Sequence, residues 1–193
     1  MKNEIKIAKT ENEVIDLIKN RWSARSFAEK SIPKKELHSL VEAGMWAFSA
    51  NNEQPWRIIL AEKGSESFEK VASTLMPGNF PWAKNAAAFV VSLAKTTFEK
   101  EGNPINVYAD HDLGAFNAFL ILQAQSQNIY AHPMAGFDKQ KMRELFQLNE
   151  NLKPMVIIAL GYLDDAEKLD EPYKTRELTA RNRKAMHEIV ING

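Results

Sequence analysis

Residues 113–127, LGAFNAFLILQAQSQ, place apolar side chains on nearly every face of the helix they would form. Such a helix cannot lie on a surface with one face in water, so the rest of the chain must cover it on most sides. That requires a layered domain with this segment near its centre. A chain of 193 residues, 45% apolar, is long enough to build one such core.

The layers are legible in short apolar runs. Trp56 to Ala61 and Ala87 to Ala94 are rich in β-branched residues and read as buried strands, separated by a helix near Ser65 to Leu75. Pro154 to Leu163 is the strongest strand signal, and Ile129 to His132 forms a shorter one leading into Pro133-Met134-Ala135-Gly136. Thr10 with Glu13 has the spacing of a capping box ahead of Val14, Leu17 and Ile18, which predicts a first helix ending near Lys19. After a polar loop, Pro33 opens a second helix with Leu37, Leu40, Val41 and Met45 on its apolar face. Asp138 is placed to cap a helix carrying Met142, Leu145 and Phe146. Met76 to Trp82, with two prolines and a glycine, reads as loop. About four strands and five helices, with a helix after most strands, indicate an α/β or α+β sandwich. Beyond Asp164 the chain turns polar, yet Ile189, Val190 and Ile191 form a β-like apolar end that is expected to dock, on another subunit if not on its own.

What is missing narrows the chemistry. Lysine plus arginine equals aspartate plus glutamate at 25 each, so no general field draws the chain to nucleic acid or an anionic membrane, and any anion site must be local. Cysteine is absent, which removes disulfides, thiolate metal sites and thiol nucleophiles. The eight glycines form neither a dinucleotide fingerprint nor a P-loop, so a nicotinamide would bind only transiently. His38, His111, His132 and His187 have no metal-ligand spacing, and Asp110-His111-Asp112, adjacent at a helix start, reads as capping in preference to a metal site. Ser23 and Ser49 lack the context of a nucleophile elbow. With no signal-like apolar region at the start and no span of about 18 apolar residues, a cytoplasmic protein is expected.

Two polar groups remain. Arg21 and Arg25 flank a turn that presents Ser23, and Arg181 and Arg183 would face one way in an extended stretch. Either pair could fork onto a phosphate, where a planar guanidinium gives parallel hydrogen bonds; either could equally form surface ion pairs. Ser49, Asn52 and Gln54 could pair with a ribityl chain or a pyrimidine edge, or could simply cap a helix and make a turn.

Taken in order, these pieces resemble the nitroreductase-like family. Arg21-Trp22-Ser23-Ala24-Arg25-Ser26-Phe27 is similar to its opening Arg-Arg/His-Ser-x-Arg run. Ala47 to Arg57 (AFSANNEQPWR) resembles its A-P-S-A-x-N-x-Q-P-W-R signature, Pro133 to Asp138 its P-M-x-G-F-D, and Arg181-Asn182-Arg183-Lys184 its R-x-R-K-P. Trp22, Phe48, Ala135 and Ala185 depart from these patterns; Trp22 subtracts a positive charge from the flavin pocket.

The resemblance implies an α+β fold, an α/β/α sandwich with a mixed central sheet, as a single domain over residues 1–193 in an intertwined homodimer. A tail from about residue 164 to 193 would extend onto the partner. It implies FMN in a groove built by both subunits, with Arg21, Trp22, Ser23, Arg25, Arg181 and Arg183 at the phosphate and ribityl chain. Ser49, Ala50 and Asn52 would come from the partner, the backbone of Pro133, Met134, Ala135 and Gly136 would run along the ring, and Asn79 would reach its polar edge. The implied activity is electron transfer from NADH or NADPH to nitroaromatic, quinone or related small acceptors by a ping-pong mechanism. The flavin N5 would carry the chemistry, with no catalytic side chain and no metal. The same fold also hosts other flavin reactions, such as dehalogenation or flavin breakdown, and non-catalytic flavin binding.

Overall fold

The computed structural model describes residues 4–191. Its elements are α1 (Asp16–Asn20), α2 (Lys34–Met45), β1 (Trp56–Glu62), α3 (Glu66–Ala72), α4 (Phe80–Ala83), β2 (Ala88–Lys95), α5 (Ala109–Ser126), β3 (Tyr130–Met134), α6 (Lys139–Leu145), β4 (Leu152–Gly161) and α7 (Tyr173–Leu178). The strands form one sheet in the order β1-β2-β4-β3.

Alternation along the two central strands creates two cores. Phe89, Val91, Leu93, Ile157 and Ala159 face one side, with Trp22, Phe27, Phe68, Trp82 and Met142; Val90, Ala94, Ile158 and Leu160 face the other, with Leu37, Leu40, Leu113, Phe116 and Leu120. Helices therefore cover both faces, and the fold is the expected α+β sandwich. The sheet itself is not mixed, because every strand pairing is antiparallel. The reason is that β1 ends beside the start of β2, with Glu62 opposite Ala88, so the two short helices between them leave and return at the same end of the sheet. Only α5 crosses its length: at about 1.5 Å per residue its 18 residues span about 27 Å, enough to carry the chain from the end of β2 back to the start of β3. β4 then inserts between those two strands.

Prolines mark where pairing is relaxed. Pro133 lies in β3, an edge strand, and Pro154 lies at the register shift between β2 and β4, where a missing N–H leaves no gap in a regular ladder. Gly44 of α2 is required by close packing, since a Cβ there would stand 2.6 Å from the Phe116 ring of α5.

Four local expectations are not met. No side chain caps α1, which starts at Asp16; Ala8 instead donates its N–H to the carbonyl of Lys19, folding the preceding segment back along the helix. Part of the 76–82 segment is helical, as α4, with Pro81 in the first turn where a missing N–H costs nothing. Met45 is exposed, as are Trp46 and Phe48 after it. Ile189, Val190 and Ile191 are exposed and form no strand, because no neighbouring edge within the chain receives them.

Candidate functional site

Three charged side chains tie the C-terminal segment to the N-terminal one, each through backbone atoms. Lys6 donates to the carbonyls of Arg176 and Thr179. Glu177 of α7, 2% exposed, accepts from the N–H groups of Arg25 at 2.9 Å and Ser26 at 3.1 Å. Arg181 donates to the carbonyls of Lys19 and Arg21. The two arginine-bearing segments, some 160 residues apart, are thus in contact. Arg21 lies close enough to Arg181 and Arg183 that, after burial, their positive charges are what lower its pKa; for Arg25 the causes are burial and then opposition from Glu177.

The result is two adjoining groups of cations: Arg25 and Lys6 beside the Glu177 carboxylate, and Arg21, Arg181 and Arg183 beside one another. The Nε of Arg181 and the Oε2 of Glu177 are buried without hydrogen-bond partners. A surplus of positive charge fits a bound anion, and the forks of Arg21, Arg25 and Arg183 fit a phosphate, whereas Arg181 spends both terminal nitrogens on backbone carbonyls. Arg183 is exposed and donates only to the adjacent Asn182 carbonyl, so it is available to a ligand. Trp22 differs from expectation: its ring is core, edge-on to Tyr130 with centroids 6.0 Å apart and the Lys6 ammonium 4.8 Å above it. A buried indole leaves only the Trp22 backbone to face a ligand.

Beside this cluster the Arg25 guanidinium lies over Trp82, 5.8 Å from the ring centroid, and Trp82 packs on His132 at 4.4 Å. His132 Nδ1 is 2.9 Å from the Ala24 carbonyl, so the neutral ring carries its proton on Nδ1 as donor. Burial pushes its pKa down to about 4. His132 leads directly into Pro133–Gly136, where Pro133 and Ala135 are exposed and Met134 turns its side chain into the core. Asn79 Nδ2 donates to the Gly136 carbonyl at 3.0 Å, and a Cβ at Gly136 would meet that nitrogen at 2.8 Å. The arginine turn, the Pro133–Gly136 backbone and Asn79 therefore border one region, all supported by the core on the same face of the sheet.

Ser49, Ala50 and Asn52 are elsewhere. Ala50 donates its N–H to Asp112 of α5 at 3.0 Å, and α5 packs on the opposite face of the sheet from Trp22 and Phe27. Asn51, Asn52 and Gln54 all adopt left-handed backbone, with φ of 54°, 55° and 51°. Asparagine tolerates that region better than most residues, and such clusters of sparsely populated conformations recur at ligand-binding segments. The Ser49 hydroxyl, accepting from Gln54 N at 3.0 Å, holds the turn together. Asp112 also contacts His111 Nδ1 at 2.9 Å, so it caps a neighbouring segment instead of its own helix. Among the described residues no group of three metal-ligating side chains converges, and no helix is long and apolar enough to cross a membrane.

Glu177, Lys6, Trp82 and His132 were not singled out as site residues by the sequence. Their partners lie dozens to more than 150 residues away, and no local spacing marks them.

Known proteins resemble this chain in sequence and in fold. A chain of Mycolicibacterium smegmatis named "Uncharacterized 15.4 kDa protein in ask 5'region" is 33% identical over 133 residues, covering 69% of this chain and 87% of that one. A "Putative NADH dehydrogenase/NAD(P)H nitroreductase" of Archaeoglobus fulgidus is 26% identical, covering 82% of this chain and 90% of that one. A crystal structure described as "the oxidoreductase containing FMN" superposes with a TM-score of 0.92 at 30% identity, covering 96% of this chain and 94% of that one. The model of the Nitroreductase family matches residues 18–162, a span that runs from the arginine turn through Pro133–Gly136 to the end of β4. By that match, which spans most of its length, the chain belongs to the nitroreductase family.

Proposed function

We propose that this protein is an FMN-dependent oxidoreductase that works as a homodimer and passes electrons from NADH or NADPH to a small organic acceptor. The observation that carries the reading is the meeting of guanidinium groups from both ends of the chain, on the same face of the sheet as the partly exposed backbone at Pro133–Gly136. Arg21, Arg25 and Arg183 would hold the phosphate, with Ser23 and the Trp22 backbone beside it; Arg181, expected there too, instead braces the turn through the Lys19 and Arg21 carbonyls. The Pro133–Gly136 backbone and Asn79 would border the ring. Ser49, Ala50 and Asn52 would reach the flavin from a second copy, since within one chain the sheet stands between them and the arginines. When bound, the flavin supplies reversible two-electron chemistry, and the protein's part is to position it and stabilise added negative charge.

The second copy is supported by apolar surface around the end of α2 and the first half of α5: Met45, Trp46, Phe48, Ile105, Val107, Tyr108 and Phe119 are all exposed. The tail from about residue 164 would extend onto that copy, with Ile189, Val190 and Ile191 finding cover there. Donor and acceptor would use the same open face in turn, giving ping-pong kinetics with nitroaromatic, quinone or related conjugated acceptors. A cytoplasmic location is part of the reading and accords with a cysteine-free chain.

The test is optical. Purified protein loaded with FMN is expected to be yellow and to bleach under anaerobic NADH or NADPH, with colour restored by an acceptor. Yellow protein that neither nicotinamide bleaches would contradict the donor assignment, and protein that does not retain FMN would contradict the whole reading.

A further inference from the structure

Glu177 is a buried acidic group beside Arg25 and Lys6, and its two oxygens are used unequally. Oε1 accepts from both Arg25 and Ser26 N–H, the turn that aims the Arg25 side chain. Oε2 has no hydrogen bond and stands 3.9 Å from Arg25 Nη1, too far for the forked pairing that would lock a guanidinium onto a carboxylate. Lys6, which could neutralise it, is committed to the carbonyls of Arg176 and Thr179. Burial raises the Glu177 pKa against the opposing pull of those two N–H groups, Arg25 and Lys6.

We propose that Glu177 is a positioning residue with two separable effects: Oε1 shapes the Arg21–Arg25 turn from beneath, and its charge serves as the resident counter-ion that Arg25 leaves for a phosphate ester. This rests on the assignment of the arginine cluster to the cofactor phosphate. In the ligand-free protein the carboxylate offsets the repulsion that Arg25 and Lys6 exert on each other. Once a phosphate is bound, two anions share the same cations and repel each other through a poorly screened medium. The charge of Glu177 thus stabilises the empty site and weakens the filled one, while its hydrogen bonds support both.

Glutamine separates the two effects, because an amide oxygen can still accept from Arg25 and Ser26 while the charge is gone. Dissociation constants of FMN and of riboflavin, which lacks the phosphate, would be measured by flavin fluorescence for the wild type, Glu177→Gln and Glu177→Ala. Glu177→Gln is expected to bind FMN about three- to tenfold more tightly with riboflavin affinity changed by less than about twofold. Glu177→Ala, which also frees two buried N–H groups, is expected to bind FMN more weakly than Glu177→Gln; should it fail to fold, the glutamine variant decides alone. Unchanged or weaker FMN binding by Glu177→Gln, or an equal shift for riboflavin, would overturn the proposal. A wild type that binds FMN no better than riboflavin would refute the phosphate assignment and this inference with it. A wild type that prefers FMN but is insensitive to Glu177→Gln would refute this inference alone.

Discussion

His132 shows how one residue of this site carries a cost that pH can reveal. Burial holds its pKa near 4 against about 6.5 in the unfolded chain, so between those values the unfolded state takes up a proton that the folded state refuses. Stability is intact above about pH 6.5 and declines as pH falls toward 4, by up to about 3 kcal/mol at 1.36 kcal/mol per unit. His132→Phe keeps a ring against Trp82 and removes the titration. Denaturant unfolding at pH 7 and pH 4.5 is expected to show a smaller acid loss for the variant than for the wild type; equal losses would mean that His132 is protonated in the folded protein. The arginines were legible in the sequence because their spacing repeats a motif. His132, Trp82 and Glu177 were not, since burial and a partner far along the chain give each its role. Trp22 stands inside a ligand motif, yet its ring turns into the core, which the motif alone does not reveal.

At the scale of elements, periodic apolar patterns located every strand and the longer helices, and Asp138 caps α6 as its spacing implied, accepting from Lys141 N at 2.9 Å. Strand direction was not legible, since it depends on where the helices between strands return, and neither was α4, four residues in a proline-rich stretch. The α2–α5 contact offers a test of packing. Gly44→Ala improves helix propensity by about 1 kcal/mol, yet its methyl would enter the space of a fully buried Phe116 ring. Overpacking of this kind costs about 1–3 kcal/mol, so a lower unfolding midpoint is expected. A raised midpoint would mean that α2 and α5 adjust freely against each other.

For the whole molecule, the positions of the motifs support the proposal that two copies complete the site. The arginine turn and Pro133–Gly136 share one face of the sheet, and the Ser49–Asn52 turn hangs from α5 on the other. The amphipathic pattern could not reveal this division, because it marks which residues are covered without saying by which chain. Trp46, 81% exposed, is the most exposed apolar side chain of the patch around α2 and α5. Trp46→Asp is expected to weaken self-association about tenfold or more in sedimentation experiments, and an unchanged profile would place the interface elsewhere. The composite site is tested most directly by subunit complementation. One variant carries Arg25→Ala with Arg183→Ala, the other Ala50→Tyr, which would fill the space next to the flavin; each homodimer is expected to bind FMN poorly. If each site draws its arginines from one chain and its Ser49–Asn52 turn from the other, a heterodimer isolated through two different tags contains one wholly intact site and binds one FMN per dimer. A heterodimer that binds FMN no better than either parent would contradict the account.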